Sequence, residues 1–357
     1  MKYKVILLII ALMTNGKIFS QSSQPEICGV DISYLAQQEK SGVTFQKNNK
    51  EVPVLQILNE AGVNWIRLRL WHSPKDNWNN LENTLITAQK IKKYSFRFLL
   101  DIHYSDTWAD PTNQTIPKSW ENYNFDELCE AFETYTAEVI SKFNAVKCLP
   151  DMIQIGNEIT NGMLWPHGKT SNSQGIQNFS VLLKKASSVV RRLSPKTKIM
   201  LHIDRGDDVS LSNWFFNIIK NHNVDYDVIG LSYYPYWNGK DLSKIGKNIS
   251  NLKKRFGKDV CIVETSYMWT LKWNDNCNNI AGTSSQLITE YPANPEGQKQ
   301  YLNDLCRIVA TSGGSGVFWW EPTAVSAQNF PSALENTTWF DFEHNYNGTG
   351  DVFSQFK

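Results

Sequence analysis

The sequence predicts a single (β/α)8 barrel. After residue 20, short apolar segments alternate with longer segments of helical periodicity, and this alternation repeats eight times along the chain. Strand and helix alternation indicates parallel strands that are joined by crossover helices. No linker rich in Pro, Gly or Ser interrupts the repeats. We therefore expect one domain over residues 21–357, closed into a barrel rather than spread as an open sheet.

The first 20 residues have the pattern of an export signal. Lys2 and Lys4 form a short positive start, an apolar run follows over residues 5–13, and small residues precede a cleavage point near Ser20 and Gln21. The apolar run is too short to cross a bilayer as a helix. We expect an exported protein without a membrane span, either secreted, periplasmic or held at the cell surface.

Charge and cysteine content narrow the class of protein further. The 36 Lys and Arg residues balance 35 Asp and Glu residues, a net charge of +1 that argues against nucleic acid as a partner. Six cysteines permit up to three disulfides in an oxidising compartment, but none lies in a Cys-x-x-Cys pair. A chain of this length does not need cross-links to fold, so we assign no disulfide bridge. We also expect the protein to be a monomer.

Apolar runs and helical periodicity place the elements in order along the chain. The predicted strands cover residues 27–34, 64–71, 96–104, 152–158, 198–204, 227–234, 260–267 and 316–321. The predicted helices include residues 54–61, 84–93, 125–143, 179–193, 243–256 and 296–311. In a parallel barrel, the carboxyl ends of the strands form the rim where ligands bind.

Nearly every predicted strand ends in charged, amide or aromatic side chains. From the second strand to the eighth, they are Arg67 and Arg69, then Asp101, His103 and Tyr104, then Asn157 and Glu158, then His202 and Asp204, then Tyr233 and Tyr234, then Glu264, and finally Trp319, Trp320 and Glu321. Polar residues placed at random would scatter along the strands, whereas these would all meet at one rim. The rim is the predicted site.

Two glutamates at this rim suggest glycoside hydrolysis. Glu158 and Glu264 end the fourth and seventh strands, which lie across the barrel mouth from each other. Hydrolysis of a glycosidic bond needs a proton donor and a second carboxylate. We expect apolar or negative neighbours to keep Glu158 protonated, Asn157 to hold a sugar hydroxyl, Tyr233 to orient Glu264, and Arg69 to lower the pKa of Glu264. For each supporting residue taken alone, a structural hydrogen bond is the favoured explanation, and only the whole arrangement favours catalysis.

A metal cluster is the alternative interpretation of the same rim. His103 and His202, with Asp101 and Asp204, form a mixed histidine and carboxylate group. Two histidines on separate strands are a weak metal pattern, and no His-x-His or His-Glu-x-x-His occurs. Glycine-rich phosphate loops and Gly-x-Ser-x-Gly are also absent from the sequence. We expect catalysis without a cofactor.

Longer motifs make the chain resemble a known family. They are GVDISY at 29–34, IRLRLW at 66–71, LDIHYSDTWADP at 100–111, QIGNEI at 154–159, LWP at 164–166, YDVIGLSYYP at 226–235, VETSY at 263–267 and WEP at 320–322. Together they resemble the endo-β-1,4-galactanases of glycoside hydrolase family 53. The resemblance implies a retaining (β/α)8 enzyme with Glu158 as acid/base and Glu264 as nucleophile. It also implies that the substrate is the β-1,4-galactan of type I arabinogalactan and of pectin side chains.

Aromatic and polar rim residues are the candidates for binding this polysaccharide. Thirteen tryptophans exceed what a core usually needs, and exposed indoles can stack on sugar rings, although core packing explains most of them. The expected substrate contacts are Arg69, Asp101, His103, Trp108, Asn157, Trp165, His202, Asp204, Tyr233, Trp237 and Trp320.

The resemblance further implies a structural calcium site between the loops that follow the seventh and eighth strands. Asp275 and Asn279 would supply oxygens from the first loop, and Ser332 and Glu335 from the second. Cys277 stands where the family pattern has His, and a thiol is a poor calcium ligand, although its backbone carbonyl could serve. The alternative is a polar loop without a metal.

Two other functions remain open at this point. A related β-1,4-glycanase that acts on mannan or cellulose would share both glutamates, so those residues do not exclude it. A non-catalytic galactan-binding barrel is the other alternative. Retention of both Glu158 and Glu264 argues against that alternative.

Overall fold

The chain closes into a parallel barrel, as shown by a computed structural model that describes residues 26–356. The eight barrel strands in this range are β1 (Ile27–Asp31), β2 (Trp65–Leu70), β3 (Arg97–Ile102), β4 (Met152–Ile155), β5 (Lys198–Ile203), β6 (Val228–Ser232), β7 (Asp259–Glu264) and β8 (Gly316–Trp320). Each strand pairs in parallel with its neighbours in sequence, and β8 pairs with β1 to close the ring. The predicted (β/α)8 fold is confirmed.

Helices follow the strands around the outside of the barrel. Within residues 26–356 they are α1 (Leu35–Lys40), α2 (Val54–Ala61), α3 (Leu81–Lys93), α4 (Phe125–Ala145), α5 (Ser173–Leu193), α6 (Val209–Asn221), α7 (Pro235–Asn238), α8 (Ser243–Phe256) and α9 (Pro295–Thr311). The predicted bounds of α2 and α8 are confirmed, whereas α1, α6 and α7 were not predicted. In α6 the buried positions do recur at helical spacing, but one of them is the polar Ser212, which weakens the apolar pattern.

A layer of apolar side chains fills the barrel below its rim. It consists of Ile27, Trp65, Leu99, Met152, Met200, Val228, Cys261, Val263 and Phe318. The Phe318 ring takes the space beside Gly29, where an added Cβ atom would lie 2.2 Å from the ring. This apolar layer separates the polar rim from the amino end of the barrel. At that end, the Arg97 guanidinium lies 5.7 Å from the Trp65 ring centroid.

Side-chain caps fix where several of the longer helices begin. In the described part of the chain, the residues whose side chains accept a backbone N–H at a helix N-terminus are Asn80, Asn124, Asn172, Asp208 and Asn294. Asn124 also forms a reciprocal capping box with Glu127. Such caps satisfy N–H groups that the helix itself leaves unbonded, and so they set the length of each preceding loop.

The remaining expectations about targeting and cysteines concern different parts of the chain. The predicted export signal, residues 1–20, lies outside the described residues. Between residues 26 and 356, no helix is both long and apolar enough to cross a membrane. Cys129, Cys148, Cys261, Cys277 and Cys306 carry free thiols.

Candidate active site

A cavity of about 610 Å³ opens at the carboxyl ends of the strands. It is lined by both predicted catalytic residues, Glu158 and Glu264, and by seven predicted substrate contacts, namely Arg69, Asp101, His103, Trp108, Asn157, Trp237 and Trp320. The loop after β2 provides Trp78, and α7, which follows β6, provides Trp237. Because these strands lie opposite each other in the ring of eight, the cavity extends across the barrel mouth.

Four other predicted substrate contacts do not line this cavity. The Trp165 indole donates a hydrogen bond to the Asn161 carbonyl at 3.0 Å, which directs the ring toward its own loop. His202 and Asp204 are buried behind the cavity wall. The Tyr233 hydroxyl donates to the carbonyl of Gly239 at 2.5 Å and is likewise buried.

The two glutamates approach each other on either side of Ser232, the last residue of β6. The Ser232 hydroxyl donates to Glu158 Oε1 at 2.6 Å and lies 3.5 Å from Glu264 Oε2. These two carboxylate oxygens are therefore at most about 6 Å apart. Glu158 itself has a left-handed backbone, with φ of 46°, just after β4 ends, and the turn of the chain there directs its side chain to the cavity.

Arg67, which is buried, holds Glu264 in place. Its Nη1 atom lies 2.8 Å from Glu264 Oε1 and 2.8 Å from Asp31 Oδ2. Its Nη2 atom donates to Asp101 Oδ2 at 2.8 Å and to the side-chain oxygen of Asn157 at 2.9 Å. The planar guanidinium thus fixes the relative positions of residues from β1, β2, β3, β7 and the segment after β4.

Two expectations about the surroundings of Glu264 are wrong. The tyrosine that donates to Glu264 Oε2, at 3.0 Å, is Tyr234 and not Tyr233. Side chains alternate between the two faces of a strand, so Tyr234 continues the inward face of Ser232 while Tyr233 packs outward. The arginine beside Glu264 is Arg67 and not Arg69. Both arginines point inward on β2, but Arg69 lies two residues nearer the rim, beside Glu321.

The two glutamates experience different electrostatic surroundings. Burial raises the pKa of Glu158 well above its ordinary value, and the negative charges of Glu264 and Asp204 raise it further. Burial also raises the pKa of Glu264, but the positive charge of Arg67 opposes that shift. Glu158 is therefore the carboxyl that keeps its proton to the higher pH.

The rim histidines are committed to bonds with protein groups. His103 Nε2 lies 2.9 Å from Asp101 Oδ2, and its Nδ1 accepts the Ala109 N–H at 3.1 Å. His202 Nδ1 lies 2.9 Å from the Asn157 side-chain oxygen, and its Nε2 lies 2.8 Å from the Ser232 hydroxyl. Burial lowers the pKa of both rings. Over residues 26–356, no group of three His, Cys, Asp or Glu side chains is arranged to hold a metal.

Comparison with known proteins identifies the family of the chain. The sequence profile of Glycosyl hydrolase family 53 matches residues 27–353. The chain belongs to this family. It is therefore a glycoside hydrolase, and the family that the sequence motifs resemble is confirmed.

Relatives of this family 53 enzyme match it along nearly its whole length. It is 34% identical to the arabinogalactan endo-β-1,4-galactanase of Cellvibrio japonicus, over 96% of this chain and 93% of that protein. A solved family 53 catalytic domain from Ignisphaera aggregans superposes with a TM-score of 0.87 at 34% identity, covering 92% of this chain and 95% of that one. A structure of fungal β-1,4-galactanases gives a TM-score of 0.81 at 32% identity, covering 92% and 98%.

Several cavity residues of this family 53 enzyme were predicted neither as catalytic residues nor as substrate contacts, although Ser332 among them was predicted as a calcium ligand. They are Tyr34, Gln37, Arg67, Trp71, Asp76, Trp78, Asn79, Ala109, Asp110, Tyr234, Ile280 and residues 330–334. Arg67 and Tyr234 were identifiable in principle, because both lie at strand ends beside residues that were chosen. The segment 330–334 follows β8 and carries no local pattern that separates a cavity wall from an ordinary loop.

The four predicted calcium ligands of the family 53 enzyme come together in pairs. Asp275 Oδ2 accepts the Ser332 N–H at 2.8 Å, and Glu335 Oε1 lies 3.5 Å from the Asn279 side-chain nitrogen. Within residues 26–356, Asn279 Oδ1 and Glu335 Oε2 are buried without a hydrogen-bond partner, which suits a hard cation. Ser332 instead donates its hydroxyl to the Ala324 carbonyl. Asn279 and Glu335 therefore fit a calcium ion better than Asp275 and Ser332 do.

Proposed function

We propose that this enzyme is a retaining endo-β-1,4-galactanase that uses Glu158 as acid/base and Glu264 as nucleophile. The observation that carries the proposal is the close approach of the two carboxyl groups, with oxygens at most about 6 Å apart. Retaining glycosidases have carboxyl groups roughly 5–5.5 Å apart, whereas inverting enzymes need roughly 6.5–9.5 Å to admit a water molecule.

In the first step, the Glu158 carboxyl gives its proton to the glycosidic oxygen. The Glu264 carboxylate attacks the anomeric carbon, the bond to the glycosidic oxygen breaks, and a covalent glycosyl–enzyme forms. Burial and nearby negative charge favour the protonated form of Glu158. Arg67 and Tyr234, at 2.8 Å and 3.0 Å from Glu264, hold its carboxylate in one orientation.

In the second step, Glu158 acts as a base. Its carboxylate takes a proton from water, the water oxygen attacks the anomeric carbon from the side of the departed group, and Glu264 leaves as a carboxylate. Because both displacements invert the anomeric carbon, the net configuration is retained. No cofactor takes part in either step.

The substrate we propose is the β-1,4-galactan of type I arabinogalactan and of pectin side chains. The names of relatives that match over most of their length support this choice. A cavity that extends across the barrel mouth, with one indole from the loop after β2 and another from α7, suits an internal segment of a polysaccharide.

Reducing-sugar release from potato galactan, mannan and carboxymethylcellulose tests the proposed function. We expect release from galactan only. Release from mannan or carboxymethylcellulose alone would replace galactanase with another β-1,4-glycanase. Retained binding to galactan without release from any substrate would indicate a non-catalytic binding barrel.

Azide rescue tests the roles of the two glutamates. Glu264→Ala should abolish turnover, because no nucleophile remains, and azide should restore it by attacking the vacant side of the anomeric carbon. The expected product is a glycosyl azide of inverted configuration, measured by NMR. A glycosyl azide of retained configuration would show that the roles are reversed. Glu290→Gln, at an exposed position, is the control.

We further propose that the enzyme is exported, acts as a monomer, and holds a structural calcium ion. Export is supported by the pattern of the first 20 residues. Calcium is supported by the unpartnered buried oxygens of Asn279 and Glu335, which would be two of its ligands. Calcium has no part in the proposed chemistry.

A further inference from the structure

Arg69 is a buried cation that lines the cavity and has no part in the mechanism above. Its side chain is 1% exposed. Its guanidinium carbon lies 3.9 Å from the ring centroid of Trp108, 4.8 Å from that of Trp71 and 5.0 Å from that of Tyr34. Removing a guanidinium from water costs free energy, and the electron-rich faces of aromatic rings offset part of that cost. The three rings are therefore major partners of this charge.

Only some of the guanidinium N–H groups of Arg69 have a hydrogen-bond acceptor. Among residues 26–356, neither Nε nor Nη1 of Arg69 has a hydrogen-bond partner. The nearest Glu321 oxygen lies 3.6 Å from Nη1, which is an ion-pair distance but too long for a hydrogen bond. When the Asn79 amide is oriented with its oxygen toward Arg69, it accepts from Nη2 at 3.2 Å. A simple structural salt bridge does not account for this environment.

The consequence falls on Trp108, which Arg69 contacts most closely. The guanidinium covers one face of the indole. Trp71 and Trp320 meet the same indole nearly at right angles, with centroids 5.3 Å and 6.0 Å away and interplanar angles of 81° and 75°. In this close packing the indole cannot turn about its side-chain bonds without displacing a neighbour. Trp108 thus has one orientation at the cavity wall.

The same set of rings reaches the proposed nucleophile. Trp320 lies edge-on to Tyr234, with centroids 5.9 Å apart and an interplanar angle of 74°. The Tyr234 hydroxyl donates to Glu264. A continuous wall of contacting aromatic side chains therefore leads from Arg69 to the reacting carboxylate.

Glu321 connects Arg69 to the main chain next to Trp320. It follows Trp320 directly, is fully buried, and has a left-handed backbone with φ of 53°. A glutamate keeps this conformation only where its surroundings enforce it. Its N–H donates to the Asp31 carbonyl at 3.0 Å, and its carboxylate faces Arg69.

We propose that Arg69 is a positioning residue that, paired with Glu321, fixes the indoles of Trp108 and Trp320 as a rigid wall against the sugar chain. This inference rests on the proposed function, because it takes a polysaccharide as the ligand. A wall that is rigid before binding reduces the entropy lost when substrate binds. The effect of Arg69 should therefore appear in KM more than in kcat.

Arg69→Met keeps a flexible unbranched side chain and removes the guanidinium with its charge. We expect KM for galactan to rise about tenfold, with kcat changed less than about threefold. Arg69→Lys keeps a charge without the planar group and should recover part of the loss. Glu321→Gln keeps the shape of its side chain and should raise KM in the same direction by a smaller factor. The control is Arg97→Met, which removes a cation from the Trp65 ring at the other end of the barrel.

Two further measurements separate a positioning role from a structural one. In a Trp108→Phe background, Arg69→Met should raise KM by less than about twofold, because the indole it positions is already gone. Near-ultraviolet circular dichroism without substrate should show that Arg69→Met and Trp108→Phe weaken the same tryptophan band. This second measurement stays informative if the parent does not hydrolyse galactan. If Arg69→Met lowers the melting temperature but leaves KM and the near-ultraviolet tryptophan band unchanged, the inference is overturned.

Discussion

Arg67 places one buried positive charge among several acidic groups. Its guanidinium lies within 2.8 Å of carboxylate oxygens of Asp31, Asp101 and Glu264. Burial removes the water that would screen these groups from one another. Burial raises the pKa of both glutamates, but the positive charge of Arg67 lowers the pKa of Glu264, and the negative charge of Glu264 raises the pKa of Glu158, which has no arginine beside it among residues 26–356. Arg67 thus makes the two glutamates chemically different although both line the same cavity.

This difference predicts the pH dependence of the rate. Because the pKa of Glu158 is raised, its proton is kept to a higher pH than that of an ordinary glutamate, and activity should fall on the alkaline side as that proton is lost. Activity should fall on the acidic side as Glu264, the proposed nucleophile, gains a proton. Measurement of kcat/KM against pH should give a bell-shaped curve. With an aryl galactoside whose leaving group needs no proton, Glu158→Gln should lack the alkaline limb. An alkaline limb unchanged in this variant would contradict the assignment.

The neighbouring tyrosines give a matched pair of variants. Tyr234→Phe removes a hydrogen bond to the Glu264 carboxylate, and we expect kcat to fall roughly tenfold to a hundredfold. Tyr233→Phe removes a hydrogen bond to the Gly239 carbonyl and should cost about 1 kcal/mol of folding free energy with little change in kcat. Kinetics and thermal unfolding of both variants check this. A larger loss of kcat in Tyr233→Phe than in Tyr234→Phe would show that Tyr233 is the tyrosine that orients Glu264.

At the scale of elements, strands were more predictable than the residues at their ends. All eight barrel strands were predicted, but all eight predicted ranges extended one to three residues past the end of the observed strand. Site residues such as Asn157 and Glu158 lie in that extension, where polar side chains follow an apolar strand. Choosing between Tyr233 and Tyr234 needed the inward face of β6, and choosing between Arg67 and Arg69 needed the depth of each residue in the barrel. The alternation of side chains along a strand decides which tyrosine points inward. The depth of each arginine in the barrel depends instead on the stagger of the strands.

Helix caps allow a test of stability that does not touch the cavity. Asn124→Ala removes the cap of α4 and its capping box with Glu127. We expect the free energy of unfolding to fall by about 1 kcal/mol, because N–H groups at the helix start lose their acceptor. Denaturant unfolding measures this, and kcat should stay unchanged. Asn221→Ala, at the exposed end of α6, is the control. Equal losses in the two variants would contradict a capping role.

At the scale of the whole molecule, the calcium proposal concerns how two distant segments are held together. Asn279 and Glu335 come from the loops after β7 and β8. If they bind calcium, excess chelator should lower the melting temperature, and added calcium should restore it, through loss and recovery of ligand-linked stability. Elemental analysis of the purified protein supplies the stoichiometry. Glu335→Gln should remove the response to chelator. An unchanged melting curve together with an absence of metal would remove the site.

The cavity as a whole was less predictable than the two glutamates within it. Glu158 and Glu264 were found from the sequence because each closes a predicted strand. The walls come from side chains such as Trp78 and from residues 330–334, which lie on loops with no repeating pattern. Their place depends on how separate loops pack over the rim, which is decided by contacts far apart in sequence.

Pairing between β1 and β8 has a consequence for the order in which the enzyme matures. Residues 27–31 remain without one of their partner strands until residues 316–320 have been synthesised. Until then Asp31 has no β8 beside it, and the wall that carries Trp320 is missing. A chain emerging from the ribosome therefore closes its barrel only after residue 320 has been synthesised. A shortened product that lacks β8 should be inactive and expose the apolar edge of β1 to chaperones and proteases.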